Sequence, residues 1–155
     1  VHTSKYGTDY AEVASYQQDT RDLMLKVNNA GQELGRSQEL LRHMKAAAVA
    51  APRAQASLFT RLDSMGAELS KLNSRLDGDK VRARLNETSS PSISGRAYNA
   101  ANTWHTTQTA TATQRSDFEI ANEDFATFLD DLNTVLADLT RLESDLSAAG
   151  APSWR

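Results

Sequence analysis

From Phe118 to Leu146 the chain reads FEIANEDFATFLDDLNTVLADLTRLESDL. Within it Phe118, Ala121, Phe125, Phe128, Leu132, Val135, Leu139, Leu142 and Leu146 follow one another in steps of three and four. A helix turns once per 3.6 residues, so such steps keep one apolar stripe on one side, with carboxylates left for the other. Leu129 and Leu136 widen the stripe. The segment predicts a long amphipathic helix. Thr111 with Gln114, or Thr113 with Ser116 and Asp117 following, supplies its start, and Gly150 then Pro152 its stop.

The same rhythm recurs upstream. Val13, Tyr16, Thr20, Leu23, Val27, Ala30, Leu34, Ser37, Leu41, Met44 and Ala48 form an unbroken stripe of 3.5-residue period, the signature of coiled-coil-like packing. Asp9 and Glu12 have capping-box spacing before it. Gly31 and Gly35 fall inside this helix and read as weak points or close contacts, not breaks. Pro52 should end or sharply bend it, and a second helix opens around Pro52 or Arg53, with Leu58, Leu62, Met65, Leu69, Leu72 and Leu76 as its stripe and Gly78 as its stop. Val81 and Leu85 add a helical turn or two, and Asn86 to Ser92 is a loop. A third, short helix is expected from Ser92 to His105, burying Ile93, Ala97, Ala100 or Ala101, and Trp104. The expected fold is all-α: an elongated up-and-down antiparallel bundle of four helices, two long and two shorter, in a single domain over residues 1–155. In it the two shorter helices cover the seam between the long ones.

This pattern holds few groups arranged for chemistry. No cysteine occurs, which excludes disulfides and thiolate catalysis. His2, His43 and His105 are not spaced as metal pairs; Glu39 and His43, four apart, supply two ligands only, and no Glu-x-x-His occurs. Glu119 with Glu123, and Asp130 with Asp131, read as a solvated charged face, not an acid–base pair. No serine triad or phosphate loop can be assembled. No catalytic, metal-binding or cofactor-binding residue is assigned, and no cofactor is expected.

Residues 113–149 carry nine acids against two bases, while residues 1–110 carry fourteen bases against eleven acids. An acidic last helix beside more basic neighbours is the plain reading. Lys71, Arg75, Lys80, Arg82 and Arg84 make a loose basic group, interrupted by Asp77, Asp79 and Glu87 and lacking aromatic neighbours, so no nucleic acid is expected. Asn86-Glu87-Thr88 is a glycosylation sequon, meaningful in a eukaryotic secretory setting alone. No run of about 18 apolar residues exists to span a membrane. Phe118, Phe125 and Phe128 read first as core; the alternative makes them a partner-binding surface, joined by Trp154 near the end.

Three short segments carry a resemblance: Pro91-Ser92-Ile93-Ser94-Gly95-Arg96, Thr111-Ala112-Thr113-Gln114-Arg115, and Ala148-Ala149-Gly150-Ala151-Pro152 after the leucine-rich helix. In order and setting they resemble the C-terminal helical region of large bacterial secreted proteins built on sortilin-like, BNR/Asp-box β-propellers, often labelled glycosyl hydrolase-like. Val1 to Val13 looks like the passage from a preceding β-domain, and the start at Val1 suggests a mature or excised fragment. Ser153-Trp154 departs from the family's more usual Trp soon after the Pro. The propeller is not in this chain, so no hydrolase residue is carried over. The resemblance implies a non-catalytic docking module, secreted or periplasmic, that packs on its own parent propeller or on another protein. The alternative is self-assembly, since stripes of this period can pair with copies of themselves to form a homo-oligomer or filament.

Overall fold

The computed structural model describes residues 9–103 and 108–154, and all its regular structure is helical. Five helices occur among these residues: α1 (Tyr10–Val49), α2 (Ala56–Asp77), α3 (Lys80–Arg84), α4 (Ile93–Ala101) and α5 (Ala112–Ala148). Trp104 and His105, expected at the end of the third helix, lie outside the described residues, as do His2, Arg155 and the segment before Asp9.

Four of the five helices start where the sequence supplies a side-chain cap; α2, with Gln55 at its N-cap, has none. The Asp9 carboxylate accepts from the backbone N–H groups of Ala11 and Glu12 at 3.1 and 3.2 Å. Only half of the expected box forms, because Glu12 turns to Arg115 instead, at 2.6 Å. Ser92 Oγ accepts from Gly95 N at 3.1 Å and starts α4. At Thr111 both halves are made: Gln114 N donates to Thr111 Oγ1 at 3.2 Å, and Thr111 N donates to Gln114 Oε1 at 3.0 Å.

The stripes became the core. Ten of the eleven α1 positions are buried and Tyr16 half so; all six α2 positions are buried; on α5 eight of the nine are buried, with Phe118 and the flanking Leu129 and Leu136 half so. One contiguous cluster runs from Leu23 on α1 to Leu146 and Ala149 at the end of α5. Fully covered leucines and phenylalanines contribute roughly 1.5–3 kcal/mol each. Three polar residues are buried with them, Thr20, Ser37 and Thr103. The Thr20 hydroxyl donates to Gln17 O at 3.1 Å, one turn back in its own helix.

Cross-helix pairs fix the directions. Lys45 meets Asp63, Arg61 meets Asp145 and Arg75 meets Asp131, so α2 runs antiparallel to both α1 and α5. Glu12 meets Arg115, so α1 and α5 start at the same end. Here the expected topology needs correction. Ser94 Oγ donates to Asp77 at 2.8 Å, and Tyr16 bonds Ala100 O, so α4 begins where α2 ends and continues in the same direction. The molecule is three rods, not four alternating ones: α1, then α2 with α4, then α5. The connection at residues 78–92 leaves the rod and returns to it without reversing the chain, which the turn-rich sequence could not reveal.

The α1–α2 corner also departs from expectation. α1 stops at Val49, but α2 starts at Ala56, not at Pro52 or Arg53. The intervening backbone is otherwise engaged. Arg53 N donates to Ala149 O at 3.1 Å, and the Arg53 guanidinium donates to Ala148 O at 2.9 Å. A helix leaves its last carbonyls without partners, and a cation there also suits the helix dipole.

Candidate functional site

The four residues considered as an interaction surface are not brought together. Phe125 and Phe128 are interior, with ring centroids 5.9 Å apart, and the Arg75 guanidinium lies over Phe128 at 5.8 Å. Phe128 is 0% exposed and Phe125 4%. That corrects their reading as surface: α2 and α4 cover the face of α5 that the stripe left open to either interpretation. Phe118 is half-buried at the start of α5, edge-on to Tyr16 at 5.8 Å. Trp154 is half-buried beside the last turns of α5, sharing a cavity with Glu143, Ser144 and Ser147, roughly 40 Å away at about 1.5 Å per residue.

At the Phe118 end, three helices meet in a polar clasp that sequence reasoning did not find. Arg96 on α4 reaches Asp117 on α5 at 2.7 Å, and Asn99 donates to the other oxygen of the same carboxylate. This is the most shielded ion pair among the described residues, its side chains 23% and 14% exposed. Tyr16 Oη donates to Ala100 O at 3.0 Å, and Gln17 Nε2 donates to Thr103 O at 3.2 Å. α1 thereby supplies donors to a carbonyl in the last turn of α4 and to one just beyond its end. Arg115 lies over the Tyr16 ring at 5.7 Å. Burial pushes the Tyr16 hydroxyl above its ordinary value of 10.0; the Arg115 charge works against that shift and the Asp117 charge adds to it. The clasp fastens backbone and charge, with no nucleophile beside a base.

At the opposite end, Glu143, Ser144, Ser147, Ala151, Ser153 and Trp154 line an open cavity of about 370 Å³. The Trp154 Nε1 is buried and has no hydrogen-bond partner among the described residues. Glu39 and His43, noted as two potential ligands, form an exposed pair with Arg42: Glu39 Oε1 accepts from Arg42 at 2.6 Å and meets His43 Nε2 at 3.0 Å. The Arg42 hydrogen bond, helped by His43, holds the Glu39 carboxyl at about 2, well below its usual 4.5. Among the described residues no three His, Cys, Asp or Glu side chains gather as a metal site.

The acidic α5 is partly neutralised by its neighbours. Asp117, Asp131 and Asp145 pair with Arg96, Arg75 and Arg61 on the middle rod, and Asp138 pairs with Arg141. The basic group around Lys71 is likewise divided: Lys71 pairs with Glu68, Arg75 with Asp131, and Arg82 with Asp79 and Glu87. No described helix is long and apolar enough to cross a membrane. No protein-family model, curated protein or solved structure matches the chain.

Proposed function

We propose that this chain is a non-catalytic structural and docking module of a larger secreted bacterial protein, packed against its own β-propeller or a protein partner. The observation that carries this reading is the uninterrupted apolar seam from Leu23 to Ala149. It commits the interior to holding three rods in register, and leaves recognition to the outer faces. The propeller itself is argued from the three sequence segments that resemble such proteins. Charges on the outer faces would set the orientation of docking more than its strength.

The test is cross-linking of the polypeptide encoded by the complete reading frame, followed by mass spectrometry. Links from the exposed Lys26 and Lys71 to a propeller domain are the expected result. A reading frame with no propeller, or links confined to residues 1–155, overturns the proposal. Fractionation of the source cells checks the compartment, with the protein expected outside the cytoplasm.

Self-association remains the second reading. One feature favours it: an exposed apolar pair, Val81 on α3 and Leu85 at its C-cap, with no residue of that helix buried.

A further inference from the structure

The chain leaves the middle rod at Gly78 and rejoins it at Ser92, almost where it left. A side chain built on Gly78 would lie 3.7 Å from Ser92 Cβ. Two helices continuing in one direction need only a few residues between them. Residues 79–91 are thus an excursion with close ends, the form of an Ω-loop.

The excursion is ordered by its own bonds. The Asp79 carboxylate caps α3 by accepting from Val81 N and Arg82 N at 2.9 and 3.2 Å. Arg82 lies 3.7 Å from Asp79 and 4.0 Å from Glu87. Glu87 N donates to Arg82 O at 3.0 Å, and Asn86, at φ 53°, turns the chain out of α3. Residues 80–91 are all exposed. Val81 and Leu85, 67% and 64% exposed, stand four apart on one side of α3. Lys80 and Arg84, also four apart, make the adjacent strip, and neither has an ion-pair partner among the described residues. An apolar pair beside two uncommitted cations is held ready and left uncovered.

The complement lies on α5. Glu119 and Glu123 are exposed, four apart, and without an ion-pair partner among the described residues. Carboxylates at that spacing match the spacing of Lys80 and Arg84, roughly 6 Å along either helix. The small, exposed Ala126 lies on the next turn. The finger and this strip are also close in level along the rod: Ser90, Pro91, Ser92 and Ile93 share a cavity of about 360 Å³ with Asp124 and Thr127. A two-fold axis across the rod near this level would bring each finger to the other copy's strip, a contact that closes as a dimer.

We propose that residues 79–91 are a self-association finger whose occupant is a second copy of this chain. Lys80 and Arg84 meet Glu119 and Glu123 of the other copy, while Val81 and Leu85 cover the Ala126 turn. This deepens the self-association reading and is independent of docking on a parent domain. Sedimentation of the isolated chain reads the first, and cross-linking of the full reading frame reads the second.

The experiment is sedimentation equilibrium from low micromolar to about 300 µM at low salt, with circular dichroism to confirm helix content. A monomer–dimer equilibrium with midpoint near 10–100 µM, roughly the range for a small contact, is expected. It should weaken about tenfold when salt shortens the Debye length from about 20 Å to about 6 Å. Val81→Ser with Leu85→Ser should weaken it at least tenfold. Lys80→Glu with Arg84→Glu, and separately Glu119→Lys with Glu123→Lys, should each abolish it; an equimolar mixture of the two charge-reversed chains should associate again. Should charge reversal reduce helix content, Lys80→Gln with Arg84→Gln carries the same expectation. A wild-type chain that stays monomeric at about 300 µM overturns the proposal and leaves the finger to a different protein or a lipid surface. Reversed chains that associate as before, or a mixture that stays monomeric, also overturn it.

Discussion

Tyr16 shows how one side chain can serve packing, polarity and charge together. Its ring meets Phe118 edge-on and lies under Arg115, while its hydroxyl completes the end of α4 at Ala100 O. Tyr16→Phe keeps the ring and removes the bond, at an expected cost of about 1 kcal/mol in chemical denaturation. The same change has a pH signature. The folded Tyr16 holds its proton above pH 10.0 more tightly than an unfolded tyrosine does. Its contribution is therefore complete below that value and is lost as pH rises through the higher folded value. The wild type should lose stability on the alkaline side, and Tyr16→Phe should flatten that limb. Gly150 makes a second residue-scale case. Its φ is 81°, and an added Cβ would sit 3.3 Å from both Pro52 and Arg53. Gly150→Ala should destabilise by about 1–2 kcal/mol, since it strains the backbone and presses on the Arg53 cap.

Among the elements, the long helices were legible because periodicity is a local property. The α1 and α2 stripes were readable residue by residue, and the Thr111–Gln114 box formed in full. What stayed hidden depended on contacts distant in sequence. Phe125 and Phe128 could be core or surface until α2 and α4 were placed over them, and Asp117 looked like one more solvated acid until Arg96 and Asn99 reached it. No spacing rule joins residue 96 to 117 or 16 to 100. The direction of α4 was likewise set by where the chain rejoins after residue 91, not by any motif. Two glycines in α1 offer a check on this element. A methyl on Gly35 would touch nothing within 4 Å, and one on Gly31 would meet Leu76 at an ordinary 3.6 Å. Gly35→Ala should raise the midpoint of thermal unfolding, by about 0.5–1 kcal/mol in stability, through helix propensity alone. Gly31→Ala should gain no less, and a loss there would mean that α1 and α2 pack more tightly than their stripes require.

For the whole molecule, stability should concentrate where the three rods share their largest side chains. Phe128 is fully covered, and Phe128→Ala should cost about 3–5 kcal/mol in cooperative unfolding, more than any surface charge. The surface pairs should matter little individually, about 0–1 kcal/mol each, and raised salt should barely move the melting curve. An odd number of rods has a mechanical result. α1 departs from the end at which α5 begins, so Asp9 and Trp154, which lies against the last turns of α5, sit near opposite poles, roughly 50 Å apart. Dyes attached near these poles should report that separation by energy transfer, and a value below about 40 Å would contradict the arrangement. An even bundle would return the polypeptide to its origin like a hairpin. This one acts as a strut: anything tethered to its two poles is held apart at a set distance, and tension between them loads the helices lengthwise in shear, where the whole seam must slide before the spacing can change.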